Sequence, residues 1–262
     1  MSLARTYSRT AGRMAWLFAA IGGSLWGGNL VANGSFSNST YTQNNEFTTV
    51  SGFNSQGVSN WTGTGYCIYF FAGTQTTVSA INQWNSTLEK LDTASTALSA
   101  DGGNFIALDA DKNILSTVSQ TLTNLVAGRA YNLTFYWAAS QLQSRTGNTD
   151  DQVLVSLQNT STLAFDVNYT SATATIPSQG FVNWAKVNLV FVASGSSETL
   201  KFLAKSTTTC LPPMVLLDGV SITQAPEPGT MALLGLGTAL ILLAANRRRR
   251  PAPPSIRAKT EL

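Results

Sequence analysis

Two adjacent carboxylates, Asp150 and Asp151, are the nearest thing in this chain to a catalytic pair, because carboxyl groups flanking a glycosidic bond can act as acid and base. They sit in a Gly/Asn/Thr-rich stretch, where neighbouring aspartates more often face water than bracket a substrate. Other chemistries fall by elimination. The 262 residues include no histidine and only two cysteines. Ser-His-Asp and Cys-His catalysis, His-ligated zinc and four-cysteine metal sites are therefore excluded. No phosphate-cradling glycine pattern follows a strand-like segment. Binding chemistry has more to work with. Aromatic residues crowd into WTGTGYCIYFF, residues 61–71, and Trp84 follows. Sugar C–H faces stack on exposed rings, while neighbouring amides and carboxylates bond the hydroxyls. Trp61, Tyr66 and Trp84 are the candidate glycan-binding residues, with the alternative that such rings simply fill a core. For Tyr69, Phe70, Phe71, Phe135 and Trp137 the core assignment is preferred; Trp61, between Asn60 and Gly63, suits either role. Asp109, Asp111 and Asp218 supply the hard oxygen donors that Ca²⁺ prefers, or else serve as solvated or backbone-capping aspartates.

These residues need a frame, and the apolar patterning describes one. Leu133, Phe135 and Trp137 alternate with polar neighbours, as do Val153, Val155 and Leu157. The same period recurs at Ala185, Val187, Leu189 and Phe191, at Leu200, Phe202 and Ala204, and at Val220 and Ile222. A period of two marks half-buried strands, and the turn formers at 127–129, 146–148 and 194–197 separate them. Many strands with little helical periodicity predict an all-β sandwich over residues 29–223, long enough for one domain. Residues 82–100 resist assignment, since their LEKL piece suits a helical turn or a loop.

The ends read differently. Arg5, Arg9 and Arg13 precede an apolar run, Met14 to Ile21, and small residues, the order of a secretory signal peptide over 1–28. At the other end Met231 to Ala245 is apolar, shorter than the roughly 20 residues that cross a bilayer, and abuts Arg247, Arg248, Arg249 and Arg250. Lys and Arg beside such a segment hold that end inside, so a short membrane-held helix is expected. The whole chain carries a formal charge of +3, yet residues 29–223 hold seven Lys/Arg against eleven Asp/Glu, or −4. The basic tails therefore give no reason to expect nucleic acid as a partner.

Pro226, Glu227, Pro228 and Gly229, then the apolar stretch, then the four arginines resemble the PEP-CTERM sorting signal of bacterial exported proteins, over residues 224–250. The resemblance implies an exosortase-type processing enzyme as partner and delivery to the cell surface or exopolysaccharide matrix. Here the chain continues beyond the arginines for twelve residues, 251–262, a proline-rich and disordered cytoplasmic tail by composition. Within the domain, NLVANGSFS, NFIALDAD, STVSQTLTNLVAGRAYNLTFYWAAS and MVLLDGVSIT resemble galactose-binding-like jelly rolls, including some carbohydrate-binding modules. That likeness implies a sandwich of about eight strands whose first and last segments are neighbours, and a tendency to bind glycans or to build an adhesive matrix. It also implies a structural calcium, held by an acidic residue after the NGSF-like start and an aspartate on the last strand. Asp218 matches the second position, whereas the first is Ser37.

Cys67 and Cys210, separated by 142 residues, allow two readings. In an oxidising compartment a bond between them has no competing partner, and closing so long a loop would stabilise by about 4 to 5 kcal/mol on the chain-entropy model. Alternatively both are buried, unpaired thiols, Cys67 packed among aromatics. Together these features describe an exported, non-enzymatic polysaccharide-binding protein, with a structural or adhesive role as the alternative and a glycoside-active enzyme third.

The hinge supplies a first test. Prolines keep residues 226–228 out of helix. Replacing Pro226, Glu227 and Pro228 with alanine should extend the tail helix and leave an uncleaved precursor in the membrane fraction. Normal processing of that triple variant, read on an immunoblot, would remove the sorting role.

Overall fold

In this computed structural model the described residues are 28–42, 45–48, 57–71, 103–142, 145–226 and 236–241. They contain twelve strands: β1 (Asn45–Thr48), β2 (Thr62–Thr64), β3 (Cys67–Phe70), β4 (Phe105–Asp109), β5 (Thr117–Leu122), β6 (Ala130–Gln141), β7 (Thr149–Asn159), β8 (Phe165–Thr170), β9 (Ala174–Ile176), β10 (Phe181–Val192), β11 (Glu198–Lys205) and β12 (Pro213–Gln224). Every pairing is antiparallel. Sheet I runs β1-β3-β4-β12-β6-β10 and sheet II runs β2-β5-β11-β7-β8, with β9 also on β7. The fold is an all-β jelly-roll sandwich with more strands than the eight or so expected.

Strand alternation builds the core. Leu133, Phe135, Trp137 and Ala139 of β6 enter one buried cluster with Val153, Val155 and Leu157 of β7 and Leu200, Phe202 and Ala204 of β11. The Phe135 and Phe202 rings meet edge to face at 5.1 Å, a geometry that satisfies the ring quadrupoles. β10 departs from the expected pattern. Ala185 is exposed, Val187 and Leu189 are half-buried, and only Phe191 is fully enclosed, because β10 is the edge strand of sheet I and pairs with β6 alone.

β12 is central. It pairs with β6 along nearly its whole length but with β4 only from Met214 to Leu217. The register to β6 then slips between Asp218 and Ser221. Gly219 adopts φ +57° there, the left-handed turn that a bulge requires and that a Cβ would strain. Beyond the bulge the free side of β12 is taken by the segment at 29–34. Leu30 N donates to Ile222 O at 2.8 Å and Val220 N to Gly34 O at 2.9 Å. Asn29 Oδ1 accepts Ile222 N, and its Nδ2 donates to Val220 O. A Cβ at Gly34 would collide with the Val220 carbonyl, so the NG pair is what allows the approach. The first and last segments of the domain are thus neighbours, as the jelly-roll likeness implied. Gln120 of β5 fixes the same segment from sheet II, its amide bonding both the N–H and the C=O of Ala32 at 2.8 Å.

Residues 1–27, residues 82–100 with Trp84, and Glu227, Pro228, Gly229 and Arg247–Arg250 lie outside the described residues. Within the apolar tail, residues 236–241 are helical with Leu236, Leu240 and Ile241 exposed. Among the described residues no helix is long and apolar enough to cross a membrane.

The predicted disulfide is not formed. Cys67 is a buried thiol on the inward face of β3, its Sγ directed at the carbonyls of Thr64 (3.5 Å) and Thr117 (3.7 Å). Cys210 is an exposed thiol in the loop before β12, where its N–H donates to Asp111 Oδ2. Strand alternation sends one sulfur into the core while the loop turns the other to water. Alkylation of the native protein without reductant should therefore add one group, at Cys210, and a second only after denaturation. An intact mass showing no alkylation even in denaturant would restore the bond.

Candidate functional site

Trp61 is the first sequence candidate to be corrected. It is 3 % exposed, lies between Phe36 (ring centroids 5.2 Å) and Phe202 (6.3 Å), and donates its indole N–H to Asn33 O at 3.0 Å. A Trp in a Gly-rich stretch looked free for stacking, but the turn at Asn33, φ +53°, supplies the acceptor that lets the indole be buried. Tyr66 fares differently: it is partly exposed and packs on the outer face of sheet I.

That outer face carries a second apolar cluster, separate from the inter-sheet core. Ile68 and Phe70 of β3, Phe105 and Ala107 of β4, Met214 and Leu216 of β12, and Ala138 of β6 form its buried floor. Tyr66, Leu142, Phe181 and Trp184 pack against it and are only partly buried. Phe70 and Phe105 stack at 5.0 Å, and Trp184 meets Phe105 edge-on at 5.7 Å. The bulge in β10 between Val182 and Ala185 brings Trp184 over this side. Two buried polar atoms here lack hydrogen-bond partners, Trp184 Nε1 and Ser140 Oγ. Ser140 follows Ala138 by two residues on β6, so the two point to the same face. Leaving a buried N–H unbonded costs about 1 to 3 kcal/mol, a cost a ligand hydroxyl would offset.

Along β6 the same face turns polar. The Tyr136 ring lies against the glycine of the β12 bulge, where a Cβ on Gly219 would come within 2.9 Å of Tyr136 Cδ2. Lys186 Nζ sits 5.4 Å from the Tyr136 ring centre, a cation–π contact. Asp218, paired with Tyr136 across the strands, is buried and accepts Gly219 N–H at 2.6 Å. A ring platform beside amide, hydroxyl and charged groups is the combination that sugars require. The sequence missed Trp184 and Phe181 as partly exposed rings of this face. The Trp184–Ala185 step out of a regular β10 alternation is the only local signal that could have found them.

The aspartates serve other ends. Asp109 Oδ1 accepts Asp111 N–H at 2.8 Å, Asp111 Oδ1 accepts Asn113 N–H, and Asp218 stands several residues along β12 from both. Ser37 is exposed and bonds Ser35. Among the described residues no group of three acidic or cysteine side chains could hold a metal ion, so the three aspartates do not fit a single calcium. Asp150 and Asp151 lie on β7 rather than in a loop, and alternation parts them. Asp150 is opposed by burial but held below its usual pKa by Thr207, Thr208 and Ser206. Asp151 is fully buried with both oxygens unpaired, and burial, then the charges of Asp150 and Asp109, push it well above the carboxylate range. Carboxylates facing opposite ways cannot flank one glycosidic bond.

Burial, eased by the Asp111 N–H and reinforced by the Asp111 charge, likewise raises Asp109 from 3.8 to about 7. In the folded state Asp109 and Asp151 keep protons that the unfolded chain releases near pH 4. Asp109 therefore favours folding most at the acid side of this window, a contribution lost by about 1.4 kcal/mol per pH unit as pH rises to about 7, and Asp151 acts in the same direction. The unfolding midpoint should fall between pH 5 and 8, and Asp109→Asn and Asp151→Asn should flatten that slope. A midpoint that climbs across this range in scanning calorimetry would refute the assignment.

With this geometry in view, the likenesses to known proteins can be placed. Residues 224–250 match the PEP-CTERM protein-sorting motif, so the chain is an exported protein directed to the surface. Halomucin of Haloquadratum walsbyi (strain DSM 16790 / HBSQ001) is 25% identical over 200 residues, which cover 76% of this chain but only 2% of that protein. Among solved structures, TmCBM61 in complex with β-1,4-galactotriose aligns with TM-score 0.43 and 10% identity, over 75% of this chain and 99% of the module. The CBM22-1 xylan-binding domain of Paenibacillus barcinonensis Xyn10C aligns with TM-score 0.34 and 15% identity, over 64% of this chain and 87% of that one. The enzymatically active domain of bacteriophage CBA120 tailspike protein 4 aligns with TM-score 0.37 and 14% identity, over 75% of this chain but 21% of its own. The family model that spans residues 29–223, from Asn29 to the last residue but one of β12, is that of DUF642, a protein family of unknown function, and this chain belongs to it.

Proposed function

We propose that this protein is a non-catalytic polysaccharide-binding protein, sorted to the cell surface or matrix by an exosortase-type enzyme. One observation carries the binding half: on the outer face of sheet I, partly exposed Tyr66, Phe181 and Trp184 border a buried indole N–H that has no partner. A saccharide ring stacked on the rim would bring a hydroxyl to that N–H, and the polar stretch with Tyr136, Lys186 and Asn188 would take further hydroxyls. The tail motif supports export. The precursor is held in the membrane by the apolar run 231–245, with the arginines on the cytoplasmic side.

The exported domain should bind one class of polysaccharide saturably when tested against a panel, with and without calcium. Trp184→Phe keeps the ring and removes the N–H, and is expected to weaken binding by roughly tenfold, about one hydrogen bond's worth. Tyr66→Ala should weaken it as well, and Trp61→Phe should alter stability without altering affinity in the folded fraction. Self-association with no sugar binding at all would favour the structural or adhesive alternative.

A further inference from the structure

The exposed apolar side chains of the sandwich are not scattered. Six large ones are exposed among its described residues: Leu115, Val126, Leu163, Phe165, Val190 and Val192. All but Leu115 gather at one end. Val192 pairs with Ala130 and Val190 with Asn132 at the start of β6. Val126 N–H donates to the hydroxyl of Tyr131. Leu163 and Phe165 lie at the β7–β8 turn, which joins this end because Thr160 N–H donates to Ser197 O and Leu125 N–H to Ser196 O. Their exposures run from 51% at Val126 to 74% at Val190.

Both chain ends leave from this same end. Gln224 pairs with Tyr131, and Ala225 N–H donates to Ala130 O at 2.9 Å, so Ala225 lies across β6 from Val192, at the same end of the sheet. The segment from Gly28 runs antiparallel to β12, with Leu30 opposite Ile222, so the signal-peptide end enters here too. Only residues 226–230 separate Ala225 from the apolar run that begins at Met231, a reach of at most about 22 Å. The opposite end is where Asp109, Asp111 and Asp150 collect, around the 206–210 loop. Among the described residues at the exit end, the carboxylates of Asp166 and Glu198 are turned onto the Ser194 N–H.

We infer that this exit end, with Val126, Leu163, Phe165, Val190 and Val192, is a docking surface for the lipid bilayer in the tail-anchored precursor. The inference rests on the tail being membrane-held as proposed above. A five-residue tether gives the sandwich little room to tumble, and apolar side chains lying in the headgroup boundary add binding that a tether alone lacks. Docking there would keep the acidic end away from anionic headgroups. It would also fix the hinge 226–230 at the membrane surface, where a membrane-embedded protease reaches it.

The test uses the full-length chain in vesicles of phosphatidylethanolamine and phosphatidylglycerol. A bimane label is placed at Val192→Cys or Leu163→Cys in a Cys210→Ser background, and at native Cys210 as the far-end control; buried Cys67 stays unlabelled. Lipids spin-labelled near the headgroup should quench most of the fluorescence at 163 and 192 and leave Cys210 bright. Equal brightness at all three positions on chains that float with the vesicles would leave tail anchoring intact and overturn the docking. Shielding of 163 and 192 from a water-soluble quencher without quenching by lipid would mean that another copy covers the face, which also overturns it. Chains that fail to float with the vesicles would overturn the membrane-held tail and the docking together.

Discussion

Everything in this sandwich depends on β12 finding partners on both sides. It is the last strand in sequence and lies in the interior of sheet I, between β4 and β6. No β-strand can leave a row of buried N–H and C=O groups unpaired without a cost of several kcal/mol. Because β4 reaches only as far as Leu217, the lower half of β12 would be bare. The bulge at Gly219 and the Asn29–Gly34 segment supply the missing partner. The same bulge turns a buried Asp218 onto the Gly219 N–H and seats the Tyr136 ring over the glycine. One register slip thus joins chain closure to the polar part of the outer face.

Sheet I therefore has two worked faces. Inward, Leu133, Phe135 and Leu217 meet sheet II, and outward, Phe70, Phe105 and Met214 form a separate cluster. Strands buried on both sides lose the clean alternation of a half-exposed strand, as the all-buried CIYF and FIALD show. Trp184 reaches this second cluster only because β10 bulges. The placement of Trp184 on this face is thus set by an edge-strand irregularity, while the rings in the regular part of the fold are consumed by the core.

The placement of β12 also links folding to export. Its pairing with β4, β6 and the Asn29 segment needs the chain as far as Gln224, the residue at which the sorting motif begins.

The sequence alone was enough for the β class and the sorting motif. Period-two patterning in YNLTFYWAA, VLVSL and LKFLA reflects direct contact with one core, and local spacing records it. The PEP motif is likewise contiguous. What sequence could not decide was which ring or carboxylate faces which side, since that depends on partners far along the chain. Trp61 is buried because Asn33 turns a carbonyl toward it, and Asp150 and Asp151 are parted by β7 alternation. The two cysteines diverge because one lies on an inward strand face and the other in a loop. Tertiary structure alone assembled Tyr66, Phe105, Phe181 and Trp184, from strands whose separation in sequence hides that they share a face. Side-chain direction flips with every residue of register, and register is set by pairing across the sheet.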